Sequence, residues 1–258
     1  MKHWFVILSI IISIICIVIG YAFYEYFTPP TEREPYKIAH HHDDTLRIAY
    51  IGDSWAAMHK EHKCIIAKMI EDSIHRPVKV SSFGIHGKTS KEIYEYLFNN
   101  HDMRHFMMQG YDFCFISAGI NDTYKKMSTS YYRISMDNII HFMLINNIHP
   151  IILDIPNYDI VRTYYRQLYA RKLVRRASMT ITGTQMDCKT EYRATLNKLI
   201  NEKQYQNRLS VIKHIEWNND YKHDLQLLYK KDGMHLNSTG YERLDSCIAI
   251  KIIKIIKD

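Results

Sequence analysis

From Trp4 to Tyr24 the chain carries no charged residue, and the run is dominated by Ile, Val, Leu and Phe. A helix packed against a soluble core would keep a polar face, whereas this one is apolar all round and matches the ~20 residues needed to cross a bilayer. Lys2 precedes the run and Glu25 follows it. Aromatic residues stand at both ends (Trp4; Tyr21, Phe23, Tyr24, Tyr26, Phe27), the pattern of interface anchors. The pattern predicts a membrane anchor over 1–24. A cleaved signal peptide would have a shorter apolar run ending in a small-x-small site, which is missing here. With Lys2 on the cytoplasmic side, the protein is expected to be single-pass, with everything after the anchor outside the cytoplasm.

Residues 25–45 lose all periodicity. Pro29, Pro30, Pro35 and several charges lead into His40-His41-His42-Asp43-Asp44, so the segment reads as a tether. The His/Asp run has metal-ligand chemistry, but it lacks helical or hairpin ligand spacing, and a solvated linker is the favoured reading. From residue 46 onward short β-rich runs alternate with helical patterns. Strands are predicted over 46–51, 78–82, 111–117, 150–155 and 209–214, and helices over 56–73, 89–99, 131–147 and 238–256. Alternation of this kind builds a parallel sheet covered on both faces, hence a doubly wound α/β domain over 46–258. In such a domain ligands bind beyond the carboxyl ends of the strands.

Composition narrows the class further. The chain has 258 residues, 47% hydrophobic and 24% charged, which suits one folded domain plus an appendage and argues against global disorder. A net charge of +7 favours an anionic partner such as a membrane surface or an acidic glycan. Nucleic acid would suit the charge too, but no nucleic-acid-binding module is present. The five cysteines, Cys16, Cys64, Cys114, Cys188 and Cys247, contain no C-x-x-C pair, so thiolate metal sites are not expected; disulfide pairing among the last four stays open.

The residues after the predicted strands carry chemistry. Gly52-Asp53-Ser54-Trp55 places a serine at a strand-to-helix turn, where it can be an exposed nucleophile or only a cap. Ser82-Phe83-Gly84-Ile85-His86-Gly87-Lys88-Thr89-Ser90 follows the second strand and Gly119-Ile120-Asn121-Asp122 the third. Asp232-Gly233-Met234-His235 precedes the last helix and supplies an imidazole with a carboxylate three residues upstream. In this order the four pieces resemble the sequence blocks of the SGNH (GDSL) hydrolases. The resemblance runs from about Leu46 to the C-terminus and implies a flavodoxin-like three-layer sandwich with a five-stranded parallel sheet. It maps the family's serine, glycine, asparagine and histidine onto Ser54, Gly87, Asn121 and His235. Gly84 competes for the glycine, but the family places Gly-x-Thr-Ser at this turn, as Gly87 to Ser90 do. Trp55 departs from the commoner small or polar residue, and an asparagine often found before the second block is missing.

Acyl transfer needs a nucleophile, a base, an orienting acid and donors for the developing oxyanion. Ser54, His235 and Asp232 are the candidates for the first three. The backbone N–H groups of Ser54 and Gly87 and the amide of Asn121 are the candidate oxyanion donors. Asp53 and Asp122 read better as turn and helix-start residues. Neither a cofactor nor a metal is required. Between about 157 and 207 the rhythm loosens into an insertion beside the active-site rim. Its first half, 162–176, holds six cations, three tyrosines and no acid, either a solvated basic face or a grip on anionic headgroups or glycans. The expected function is a serine esterase, foremost a carbohydrate O-acetyl esterase. A lipid esterase or lysophospholipase, an acyltransferase and a non-catalytic glycan-binding module are the alternatives.

Overall fold

The computed structural model describes residues 2–258. Its first element, α1 (Lys2–Phe27), is long and apolar enough to cross a membrane, with a mean hydropathy of 2.9 over an 18-residue stretch of it. The side chain of Lys2, on which the expected orientation depends, lies outside the described residues. The domain then runs β1 (Leu46–Gly52), α2 (Ser54–His59), α3 (Ile66–Ile74), β2 (Val78–Gly84), α4 (Ser90–Asn99), α5 (His101–Met107), β3 (Phe113–Ser117), α6 (Ile120–Lys125), α7 (Thr129–Ile145) and β4 (His149–Leu153). It continues through α8 (Ile160–Tyr165), α9 (Tyr169–Thr182), α10 (Lys189–Ile200), β5 (Ser210–Ile212), α11 (Tyr221–Leu227) and α12 (Ser238–Lys257).

All five strands are parallel, in the order β2-β1-β3-β4-β5. The sheet is thus the flavodoxin-like, doubly wound type, with its switch point between β1 and β3. Parallel strands covered on both faces should be apolar throughout, and β1 and β3 are buried along their length except at Arg47. Helices α3 and α12 pack together on one face, and α4, α7 and α10 pack on the other. Helix starts are set by side-chain caps. Asp53, Thr89, Asn100, Ser128, Asp159 and Asn237 each accept a hydrogen bond from a first-turn N–H.

Three local differences from the sequence reading have physical causes. The helix expected over 56–73 is broken into α2 and α3, because Lys60-Glu61-His62-Lys63 offers no apolar position. Asp245 of α12 then clasps both pieces, pairing with His59 Nε2 at 2.8 Å and accepting from the Ile65 N–H at 3.2 Å. The strand expected over 209–214 shrinks to three residues, since His214 turns away to put Nδ1 2.8 Å from Asp154 Oδ2. Within the loosened region, α10 is an ordinary crossover helix whose Tyr192, Leu196 and Leu199 enter the core, leaving α8 and α9 as the added hairpin.

Residues 28–45 adopt no regular structure, yet they are strapped to the domain instead of running free. Tyr36 packs edge-on against Phe98 and Phe142. The Ile38 N–H donates to Asn146 Oδ1 at 2.8 Å, and His41 Nε2 lies 3.0 Å from Asp112 Oδ2. These partners lie 108 and 71 residues further along the chain, beyond the reach of any local pattern. All five cysteines are free thiols, with Cys114 and Cys188 buried.

Candidate active site

β1 ends at Gly52, where an added Cβ would lie 2.2 Å from the Ser117 carbonyl oxygen of β3. Only glycine lets the strand end pass this close. Asp53 follows and caps α2 by accepting from the Trp55 N–H at 3.0 Å, while its own N–H donates to the Ser117 carbonyl at 3.2 Å. Ser54, the first residue of α2, is thereby held at the switch point with 6% of its surface exposed. The Asp53 carboxyl is fully enclosed. Burial pushes its pKa up to about 7, and the neighbouring Asp122 carboxylate pushes the same way against the Trp55 N–H and the Asn121 amide.

The histidine arrives on a loop with several independent fastenings. Gly233 takes a left-handed φ of 74°, its N–H donates to the Lys230 carbonyl, and the Lys230 N–H donates to the His235 carbonyl at 2.7 Å. Asp232 Oδ1 accepts from the N–H groups of Met234 and His235 at 2.9 and 3.0 Å, and Oδ2 lies 2.6 Å from His235 Nδ1. Partial burial works to raise the Asp232 carboxyl. The His235 ring and the two N–H groups outweigh it and hold the pKa below its ordinary value. An ionised Asp232 accepts the hydrogen bond from Nδ1–H, which leaves Nε2 as an acceptor. That nitrogen lies 3.1 Å from Ser54 Oγ, so the three side chains form one continuous hydrogen-bonded line.

Trp55 ties the two halves together. Its buried indole N–H donates to the Met234 carbonyl at 3.2 Å, and its ring packs edge-on against Trp217 and Tyr229. The Tyr241 hydroxyl of α12 donates to the Trp55 carbonyl at 2.9 Å. In the sequence Trp55 is only a departure from a pattern; a bulky donor beside the candidate nucleophile is the available signal.

Gly84 and Gly87 have different surroundings. A Cβ on Gly84 would strike the Ala57 nitrogen at 2.1 Å, so this glycine lets β2 lie against α2, whereas Gly87 (φ 73°) meets nothing within 4 Å and faces open space. Asn121 sits in the first turn of α6, and Gly119 permits the turn because any side chain there would meet Ile155 and Tyr132. Its Nδ2 donates to the Lys88 carbonyl at 3.1 Å and to Asp53 Oδ2 at 3.2 Å, joining the second and third sequence motifs to the first. Both amide hydrogens are therefore engaged, and an incoming oxyanion would share or replace one of these bonds. Asp122 plays a structural part, accepting from the Ser90 N–H at 2.8 Å and the Ser90 hydroxyl at 2.6 Å at the start of α4.

Two shallow cavities flank the Ser54–His235 pair. One of about 300 Å³ is bounded by Tyr124, Arg166, Arg171, Asp232 and His235, and the other, about 280 Å³, by Gly87, Asn121, Tyr124, Arg171 and Arg175. The hairpin α8–α9 thus supplies walls for both. Among the described residues, two groups of side chains elsewhere have the donor chemistry to hold a metal: His40, His41 and Asp112 just before β3, and buried His59 and Asp245 with half-buried Cys64 where α2, α3 and α12 meet. Neither includes a residue of the Ser54–His235 line.

No protein-family model matches the sequence, and no curated protein matches it. Solved structures do share its fold. An acetylxylan esterase from Geobacillus stearothermophilus, Axe2, superposes with a TM-score of 0.53 at 14% identity, over 80% of this chain and 94% of its own. The acetyl xylan esterase AlAXEase gives 0.56 at 13%, over 80% and 100%. A Slackia heliotrinireducens protein provisionally classed as an SGNH hydrolase gives 0.51 at 14%, over 81% and 99%. The domain therefore has the SGNH hydrolase fold.

Proposed function

We propose that this protein is a serine ester hydrolase, anchored by α1, in which Ser54 is the nucleophile, His235 the general base and Asp232 its orienting acid. The observation that carries this reading is the unbroken line Asp232–His235–Ser54, with contacts of 2.6 and 3.1 Å. Ser54 Oγ attacks the ester carbonyl carbon while its proton passes to His235 Nε2. The carbon–oxygen bond to the alcohol then breaks, and His235 returns the proton to that departing oxygen. Water repeats the sequence in reverse and frees the acid and Ser54. The backbone N–H groups of Ser54 and Gly87 and the Asn121 amide would receive the oxyanion.

A carbohydrate O-acetyl ester outside the cytoplasm is the leading substrate. Small cavities suit a short acyl group, and two proteins of the same fold are described as acetylxylan esterases. A lipid ester is the second reading, favoured by one observation: the cavity wall α9 packs directly against α1. A serine-directed fluorophosphonate tests the core assignment. It should label the folded chain and fail to label Ser54→Ala. A folded wild-type chain that stays unlabelled overturns the proposal. Acetylated oligosaccharides compared with lysophospholipids then separate the two substrate classes.

A further inference from the structure

The end of α1 is fastened to the domain with no free spacer. The Tyr26 carbonyl accepts from the Ser128 N–H at 3.0 Å and the Thr28 carbonyl from Lys91 Nζ at 3.2 Å, while the same ammonium lies 5.3 Å from the Tyr24 ring centre. Helix α9 packs alongside, with Ala22 and Tyr26 half-buried on that side and Tyr21, Phe23 and Tyr24 exposed. Whatever surface α1 emerges from must therefore pass close to α9.

The hairpin α8–α9 has the composition of such a surface. No acid occurs between residues 160 and 186, against six cations at Arg162, Arg166, Arg171, Lys172, Arg175 and Arg176. The contacts these cations make inside the domain are to uncharged groups. Arg166 donates to the Lys231 carbonyl at 2.6 Å, Arg176 to the Tyr164 hydroxyl at 3.1 Å, and Arg175 to the Lys125 carbonyl while lying 5.1 Å from the Tyr124 ring centre. Among the described residues, no acid forms an ion pair with any of them. Between them Tyr165, Leu168, Tyr169, Leu173 and Val174 are exposed, Leu168 and Tyr169 by 73% and 75%. Exposed apolar and aromatic side chains interleaved with cations define a helix that lies in a headgroup layer, and each cation adds attraction to anionic lipid.

We infer that the α8–α9 hairpin is a docking element for an anionic lipid surface, seated beside the point where α1 leaves the bilayer. This inference rests on the reading of α1 as a membrane anchor. Docking in this way places the cavity shared by Asn121, Tyr124 and Arg171 at headgroup level, so esters displayed at the membrane surface reach it first.

Quenching by brominated lipid tests the inference on the full chain in vesicles of phosphatidylcholine, with or without phosphatidylglycerol. Tyr169→Trp adds an indole on the hairpin, read against the wild-type tryptophan background. The added signal should be quenched in phosphatidylglycerol vesicles. Quenching should fall at least threefold in phosphatidylcholine alone, at high salt, or in a second variant carrying Lys172→Glu and Leu173→Ser as well. Hydrolysis of a soluble short-chain ester should stay unchanged throughout. No quenching, or quenching indifferent to phosphatidylglycerol and salt, overturns the inference. So does tight binding of a soluble acidic polysaccharide without lipid quenching. Carbonate extraction judges the anchor separately: a chain released without detergent sinks that reading, yet one that still shows phosphatidylglycerol-dependent quenching keeps the docking surface.

Discussion

Trp55 stands next to the candidate nucleophile and hydrogen-bonds the carbonyl next to the candidate base, so its indole N–H fixes the separation of the two groups. Trp55→Phe keeps most of the buried ring and deletes only that donor. A net hydrogen bond contributes about 0.5–1.5 kcal/mol to stability, so the melting temperature should fall by a few degrees, and kcat should fall roughly two- to tenfold with KM nearly unchanged because the lost donor positions the base. A variant with unaltered kcat would show that Trp55 only packs. Asn121→Ala should cost more. Losing one oxyanion donor lowers kcat by about a hundred- to a thousandfold, with KM little changed, because the charge develops only in the transition state. Since the amide also bridges Lys88 and Asp53, thermal melts must confirm folding, and a folded variant with full turnover would remove Asn121 from the oxyanion site. Asn121→Asp should be at least as damaging, because a carboxylate donates nothing and would face buried Asp53.

Among the elements, α2, α3 and α12 meet at the His59–Asp245 pair, whose side chains are almost wholly enclosed. Burial works to lower the His59 pKa, but the Asp245 carboxylate, helped by the Cys64 sulfur, overrides it and raises the value to about 9. A raised histidine contributes stability that is complete below its unfolded pKa of ~6.5 and is lost as pH climbs through the folded value. The melting temperature should therefore drop between pH 6.5 and 9.5. His59→Gln should start lower and lose less across that interval. Parallel pH-melting curves for the two proteins would refute the linkage. The helix expected over 56–73 ran through the charged run 60–63 where α2 and α3 part, and the partner that holds the break, Asp245, is 186 residues from His59 and left no mark on the local pattern.

For the whole molecule, the strap 28–45 and the contacts of Tyr26 and Thr28 hold α1 against the domain, where a free tether would have let the two move apart. A reporter fused after Asp258 should behave as extracytoplasmic, and detergent should be needed for release. A cytoplasmic reporter signal would reverse the orientation and, with it, the leaflet that α8–α9 faces. With α1 in a bilayer as proposed, this attachment would make the distance of the cavities from the bilayer a property of the fold, so lipid composition is expected to matter for this protein.

Properties carried by neighbouring residues were determined by the sequence. The apolar run 4–24, the alternation of strands and helices, and the motifs around Ser54, Asn121 and His235 all depend on hydrophobic period, turn chemistry or short spacing. Asp232 was legible for the same reason, three residues from the imidazole it holds. The tertiary structure decided everything that needed distant partners. His41 reads as linker until Asp112 is beside it, Trp55 as an oddity until the Met234 carbonyl meets its indole, and the basic run of α9, open between a solvated face and a grip on anionic groups, gives no sign that α1 packs beside it. In each case a side chain takes its role from a group dozens to nearly two hundred residues away, and hydrophobic periodicity carries no information about such pairings.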